Sequence, residues 1–453
     1  MGEPLVVPVV DAGLGNSAYL VDLGDGRALV VDASLDLRAV RTAADKRGLR
    51  VGFAADSHLH ADFLTGARQL AATDGATVLA SAAGRRKYPH NGLIDGDEVD
   101  LGGLRLRALA TPGHTDEHVA FLLLDDDAPV GVFTGGSLLV GAAARTDLVD
   151  PHRTEELARA QYRSLHRLTT LPDDAAVWPT HGAGSFCSAP PGAERTSSIG
   201  AEKATNPLLR AEDEDAFVVA LLGSLGSYPP YFARLAEANR RGPAVLADDP
   251  ALATVEPIRA WNMVRSGALL VDTRPVVQFA AGHVAGSLSI PLRDAFVTWL
   301  GWLALPDRPL LVLRGDDQDP DEIIWQTTKI GYDSVVGELA GGFAGATAAG
   351  LPTTRIRLLG PDEVTTTDTR RVLDVRQRSE FTAGHIPGAV HVELGDLPTR
   401  LLGGGSFVVT CEHGERATTG ASLLERAGHG DVAVMVGGPG EWAAAHATPL
   451  ATA

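Results

Sequence analysis

Sulfur is nearly missing from this chain: its 453 residues hold two cysteines, Cys187 and Cys411, and three methionines. Two thiols cannot build a disulfide scaffold, so the expected compartment is a reducing one, the cytoplasm. Basic charge is also short. Lys and Arg number 39 against 57 Asp and Glu, a formal net charge of −18 at pH 7. Nucleic acid and anionic membranes, which call for basic surface, are excluded as partners on that ground. No apolar run reaches the about eighteen residues of a membrane span. Met1-Gly2-Glu3-Pro4 has neither the basic nor the apolar stretch of a secretory signal. The scarcity of lysine beside arginine reads as genome composition, not function.

What is present is an ordinary soluble composition, 45% apolar and 21% charged. The length suits about three domains at ~150 residues each.

Chemistry first shows in Cys411-Glu412-His413-Gly414-Glu415-Arg416, between a β-like run, Ser406 to Thr410, and a helix-like run, Ala417 to Ala427. Peptide N–H groups converge at such a junction and the helix dipole is positive there. That setting favours a thiolate or a persulfide anion over the neutral thiol. Gly414 lets the loop curl, and Arg416 is placed to hold an anionic donor. The plain alternative is a buried structural cysteine. Glu412 and Glu415 would oppose a dianion such as thiosulfate and favour a thiol-bound persulfide.

A second centre begins where the strand Val51 to Ala55 runs into Asp56-Ser57-His58-Leu59-His60-Ala61-Asp62-Phe63. Alternate residues of an extended segment point the same way, so His58 and His60 can converge on one ion. Two further turns, around His114 and His181, follow strand-like runs of their own. Together they predict a metal site drawn from His58, His60, Asp62, His114 and His181. Beyond His181, Gly182-Ala183-Gly184-Ser185-Phe186-Cys187 puts the second thiol at the rim of that pocket, either as a sulfur relay toward Cys411 or as an inert cysteine in a glycine-rich loop. His118, His152 and His166 stand singly, His166 as a surface residue of the helical pattern Glu155 to Leu171. Helical patterns also cover Asp36 to Arg47, Glu212 to Leu222 and Tyr231 to Asn239. Ala189-Pro190-Pro191-Gly192 reads as a loop.

The C-terminal part repeats itself. Asp272, Arg274, Phe279, Gly282, His283 and Gly286 recur 102 positions later as Asp374, Arg376, Phe381, Gly384, His385 and Gly388. The first copy has Arg314-Gly315-Asp316-Asp317 where the second has its cysteine loop, and it contains no cysteine at all. Its Arg314 loop reads as solvated surface, and the Asp374 and Arg376 pair as a brace of the fold.

These motifs carry a resemblance. With Thr111-Pro112-Gly113-His114-Thr115, Phe133-Thr134-Gly135, Ala144-Arg145-Thr146-Asp147, Ser197 to Glu202 and Asn206-Pro207, residues 1–250 resemble the persulfide dioxygenase branch of the metallo-β-lactamase fold. The repeat, with Gly384-His385-Ile386-Pro387-Gly388-Ala389 and Cys-x-x-Gly-x-Arg, resembles the rhodanese domain. The implied architecture is α/β throughout: an αββα sandwich over 1–250, then two domains with parallel sheets, a rhodanese-like domain without catalytic cysteine over 254–350 and a rhodanese domain with Cys411 over 356–453. The resemblance also implies Fe(II) on two histidines and one carboxylate. His58 and His114 match the histidines, but Gly136 stands where the family has its aspartate, and Phe63 replaces a histidine. Weakened or altered metal binding therefore ranks first, with Zn²⁺ on His58, His60 and His114 as one form. An empty site ranks second and full oxidation of a persulfide to sulfite third.

The implied function is sulfane-sulfur metabolism, with transfer through Cys411 from a small-molecule persulfide or thiosulfate to a thiol acceptor such as glutathione. The alternatives are a Zn-dependent thioester hydrolase and a persulfide sensor or carrier without turnover. The oligomeric state is left open, a homo-oligomer included.

Overall fold

The computed structural model describes residues 5–187, 194–365, 370–400 and 402–452. The N-terminal Met1-Gly2-Glu3-Pro4 and the Ala189-Pro190-Pro191-Gly192 loop lie outside them. The chain divides into two units, Met1–Asp249 with Thr328–Gly331, and Pro250–Thr327 with Tyr332–Ala453.

Alternation along the strands explains the first unit. In Asn16–Asp22, Tyr19 and Val21 face one core while Ala18 and Leu20 face another. In Val119–Asp125, Val119, Phe121 and Leu123 join that first core while Ala120, Leu122 and Leu124 enter a third. Strands apolar on both faces must be covered on both. The result is two six-stranded sheets packed face to face, with helices outside. One sheet runs Val6–Asp11, Asn16–Asp22, Arg27–Val31, Arg50–Asp56, Thr77–Ser81, Asn91–Leu93, antiparallel at first and parallel from Arg27–Val31 onward. The other runs Ser197–Ser198, Ala176–Pro179, Ala128–Gly135, Val119–Asp125, Leu104–Ala110, Glu98–Asp100. Phe121, Phe133 and Trp178 fill the space between the sheets. Helices Arg38–Asp45 and Ala67–Asp74 cover the first sheet, and Thr154–Leu168 and Glu214–Gly223 the second. Four strand ends converge on one pocket: Arg27–Val31 leads to Asp32, Arg50–Asp56 to His58, Ala128–Gly135 to Gly136, and Ala176–Pro179 to His181.

The second unit contains two parallel five-stranded sheets of the same order. The first copy runs Thr254–Val255, Val335–Leu339, Leu310–Leu313, Leu269–Asp272, Leu288–Ser289; the second runs Arg357–Leu359, Val432–Met435, Phe407–Thr410, Arg371–Asp374, Val390–His391. Bidentate pairs repeat with them. Arg274 clasps Asp272 and the Gly282 carbonyl, and Arg376 clasps Asp374 and the Gly384 carbonyl. His283 stacks on Phe279 at 3.8 Å and His385 on Phe381 at 3.7 Å. The spacing of 102 holds for these elements and shortens to 97 at the next strand, because Leu310–Leu313 corresponds to Phe407–Thr410. Arg314 thus takes the place of Cys411. The first copy has the helix Phe296–Leu303 where the second has only the turn Leu397–Thr399. Among the described residues no helix is long and apolar enough to cross a membrane.

Candidate functional site

The cysteine loop of the second unit is built from an apolar strand and a helix start. All four residues of Phe407–Thr410 are buried, and Cys411 follows with 1% of its surface exposed. Gly414, at φ 101°, turns the chain into the twelve-residue helix Glu415–Arg426. That backbone conformation is one side chains avoid, and it aims peptide N–H groups inward. Gly414 donates to Cys411 Sγ at 3.1 Å and Ala417 at 3.3 Å. The sulfur thus sits in a cup of backbone donors at the positive end of a helix. Around it Glu412 and His413 are exposed.

Arg416 does not lie open for a donor, as the sequence suggested. Its guanidinium forms two bonds to Glu380, at 2.6 and 2.7 Å. Burial opposes charge on Glu380, but the Arg416 bonds outweigh it and hold the carboxyl below its ordinary range. Glu380 lies 36 positions away in sequence, so no local pattern announced the pair.

Arg314, read from sequence as solvated surface, is also turned inward. It pairs with Glu338 and donates to the carbonyls of Gly315, at 3.1 Å, and Gln318, at 3.0 Å. The cysteine position of the first copy is therefore occupied by a neutralised cation.

In the first unit, His58, His60, His114 and His181 are all brought together. Ring centroids of His58 lie 4.1, 4.8 and 5.4 Å from those of His60, His114 and His181. All four are buried. Asp32, which the sequence reading passed over, organises them. It sits in left-handed backbone at φ 53°, uncommon for a non-glycine residue. Its carboxylate accepts the Ser57 N–H and hydroxyl, both at 2.7 Å, the Thr180 hydroxyl, and His60 Nε2 at 3.2 Å. Because the Ser57 hydroxyl donates to Asp32, it accepts from His58 Nδ1 at 2.9 Å. His58 Nε2 is then a free lone pair. The same logic holds for His114, whose Nδ1 donates to the Arg145 carbonyl at 2.7 Å. For His181, Nδ1 donates to Asn16 Oδ1 at 3.0 Å, and the Asn16 amide donates in turn to Asp62 at 2.7 Å. His58 Nε2, His60 Nδ1, His181 Nε2 and Asp62 Oδ1 have no hydrogen-bond partner. Orphaned buried polar atoms on this scale call for an occupant.

Burial and mutual crowding push His58 far down, and burial pushes His114 and His181 down to about 3. Burial opposes protonation of His60 as well, but the Asp32 carboxylate wins and raises it. His118, left as a singleton by the sequence, completes the wall. Its Nδ1 meets Thr111 Oγ1 at 2.8 Å and its Nε2 accepts the Gly136 N–H at 2.9 Å, so neither ring nitrogen is free for metal.

The two departures from the family pattern have structural substance. Phe63 is buried and stacks on the His60 ring at 4.2 Å. A Cβ on Gly136 would stand 2.2 Å from His114 Cδ2. The family aspartate is therefore not merely absent; the His114 ring occupies its space. Nor does another carboxylate replace it. The clusters able to hold a metal among the described residues are His58, His60, His181; His114, His181, Cys187; and Asp32, Asp56, His60. Asp62 is in none of them. The carboxylates of the last are engaged, Asp32 as above and Asp56 by Thr65 at 2.8 Å and Arg86 at 3.4 Å. Two histidines and a free carboxylate do not assemble, so the iron set implied by the family does not fit.

Cys187 is not at a rim. It is 1% exposed, inside the cluster, and burial raises its thiol well above the ordinary range. The glycine-rich segment folds inward because Arg145 bonds the Phe186 carbonyl at 3.0 Å and the Cys187 carbonyl accepts the Arg145 N–H at 3.3 Å.

Comparison with known proteins follows this division. The rhodanese-like domain family matches residues 256–349 and 361–445. A hydroxyacylglutathione hydrolase of Methylococcus capsulatus is 35% identical over 184 residues, 40% of this chain and 66% of that protein. A mitochondrial persulfide dioxygenase of Homo sapiens is 31% identical over 186 residues, 40% of this chain and 65% of that protein. The chain thus spans just under two thirds of the length of these relatives. The crystal structure of a metallo-beta-lactamase from Staphylococcus aureus matches with a TM-score of 0.66 and 28% identity, over 74% of this chain and 98% of that one. The chain therefore belongs to the metallo-β-lactamase-fold family, with persulfide dioxygenase and hydroxyacylglutathione hydrolase homologues, and carries two rhodanese-like domains.

Proposed function

We propose that this protein is a cytoplasmic sulfurtransferase that carries sulfane sulfur as a persulfide on Cys411. One observation carries the reading: the Gly414 and Ala417 N–H groups both point at Sγ. The Cys411 thiolate attacks the outer sulfur of a donor persulfide. A new S–S bond forms, the donor S–S bond breaks, and the donor leaves as its thiolate. The enzyme persulfide then holds its negative sulfur under the loop amides. An acceptor thiolate attacks that sulfur, takes it as a new persulfide, and returns Cys411 as thiolate. With Arg416 neutralised by Glu380 and Glu412 exposed beside the loop, the charge favours a small-molecule persulfide, whose reacting group carries a single charge, over thiosulfate, whose two charges sit on the reacting group.

Mass spectrometry after exposure to glutathione persulfide should find 32 Da, about one sulfur atom, on the peptide holding Cys411, and steady-state transfer to a second thiol should vanish in Cys411→Ser. Undiminished turnover in that variant would end the reading.

A second reading rests on the first unit. The unpartnered ring nitrogens of His58, His60 and His181, with the likeness to a hydroxyacylglutathione hydrolase, suit a metal-dependent thioester hydrolase. Metal-dependent turnover of an acyl-glutathione would support it. No oxidation step is assigned, because the iron set does not fit.

A further inference from the structure

We infer that Cys187 replaces the family's missing carboxylate as a metal ligand, and that His114, His181 and Cys187 hold a zinc-class divalent ion. This goes beyond the sulfurtransferase reading and does not depend on it.

The ligand atoms of these three residues lie within 4.8 Å of one another. Zn–N bonds of about 2.0–2.1 Å and a Zn–S bond of about 2.3 Å in a tetrahedron place ligand atoms about 3.3–3.6 Å apart. Side-chain rotations that draw the atoms together by about 1 Å therefore close the set. The histidines are prepared for it. The Arg145 carbonyl fixes the proton of His114 on Nδ1, and Asn16 fixes that of His181 on Nδ1, leaving both Nε2 atoms as lone pairs. Such outer partners are the usual support of ligating histidines. His181 Nε2 is buried and has no partner of its own, so the pocket lacks an occupant at that point. The rings of His58, His114 and His181 meet nearly edge to face, at 62° to 76°, as ligands around one centre do.

The chemistry of the set selects the ion. Two imidazoles and a thiolate are a borderline-soft combination that suits Zn²⁺, whereas the two-His, one-carboxylate face of oxygen-activating iron is not available. Binding deprotonates the thiol: the S–H proton passes to solvent and the sulfur lone pair enters the S–metal bond. Three protein ligands leave one position open, and His58 Nε2, itself unpartnered, is the neighbouring nitrogen that could close it.

The test uses the full chain, stripped with a chelator and titrated with Co²⁺ as the spectroscopic probe. One equivalent should bind and produce a near-ultraviolet thiolate-to-cobalt charge-transfer band. In Cys187→Ser that band should disappear and Co²⁺ affinity fall roughly tenfold or more, while Cys411→Ser should keep both. A band that survives Cys187→Ser, Co²⁺ bound without a band, or no Co²⁺ binding at all would each overturn the proposal. Zinc K-edge absorption of the zinc-loaded wild type removes any dependence on the variant's folding. A sulfur scatterer at about 2.3 Å is expected, and a shell of nitrogen and oxygen alone would refute it.

Discussion

Arg416 and Glu380 are locked fork to fork, Nη1 to Oε2 at 2.6 Å and Nη2 to Oε1 at 2.7 Å, in the first turn of the helix that follows the Cys411 loop. The positive charge of Arg416 is thereby neutralised within the protein. Glu380→Gln keeps the shape and removes the countercharge. In that variant KM for thiosulfate should fall about tenfold, roughly the worth of one charge-assisted hydrogen bond, with little change for a glutathione persulfide. Initial-rate kinetics with both donors decide it; equal shifts for the two would show that the pair does not govern donor choice.

The same pair gives an acid-side signature. The Glu380 carboxyl titrates lower in the folded protein than the ~4.3 of an unfolded chain. Between those values the unfolded state binds more protons, so the stabilisation is complete above about pH 4.3 and is lost as pH falls through the folded value. Melting temperatures of the wild type should therefore drop more steeply than those of Glu380→Gln below about pH 4.3. Parallel curves would contradict this.

Gly414 has room for a side chain, since an added Cβ would meet nothing nearer than 3.8 Å. Its φ of 101° is the obstacle. Gly414→Ala should destabilise the protein by about 1 kcal/mol or more through backbone strain. The amide should also tilt away from the sulfur, lowering kcat for transfer more than it raises KM. Thermal denaturation with steady-state rates checks both parts; a variant with unchanged kcat would show that the amide cup does not stabilise the reacting sulfur.

Restoring the family aspartate should fail. Gly136→Asp drives a Cβ into the His114 ring, 2.2 Å from Cδ2. Overpacking of this kind costs about 1–3 kcal/mol. The variant should melt lower than the wild type and gain no stoichiometric iron, measured by metal analysis after loading under anaerobic conditions. A stable variant with one iron per chain would refute the prediction.

A tighter contact tests the packing between the two rhodanese copies. A Cβ on Gly395 would stand 1.8 Å from Trp302 Nε1. Gly395→Ala should cost about 1–3 kcal/mol by the same mechanism. Denaturant titration should report it as a lower midpoint, and an unchanged midpoint would mean the two copies separate freely there.

Where information was local, the sequence was readable. The strand Arg371–Asp374 and helix Arg378–Ala383 repeat Leu269–Asp272 and Val276–Ala281 position for position, because the strand, the Asp–Arg clasp and the Gly-His turn are all short-range features. The helix expected over Glu155 to Leu171 is Thr154–Leu168; the chain then tightens into i to i+3 turns at Thr170 and Leu171, and Leu171 still packs against the core. What escaped was long-range. Asp32 reaches Thr180 across 148 positions and Ser57 across 25, and its only local trace was an acidic residue ending an apolar strand. Cys187 read as peripheral because glycine-rich loops usually lie outside; here Arg145 draws the segment in. Arg314 read as solvated because its partner, Glu338, lies 24 positions away on the neighbouring strand.

The first copy, with Arg314 in place of a thiol, still touches the helix that begins at the reactive loop. Ser289 N–H bonds Ser422 Oγ at 3.1 Å and His283 Nε2 meets Glu425 at 2.8 Å. The copy without a thiol thus supplies two of the polar contacts that hold this helix in place. Lesions scattered through that copy, at residues no reagent ever visits, would surface as sluggish turnover at a sulfur in its sister, and a search for damage confined to the reactive loop would miss them.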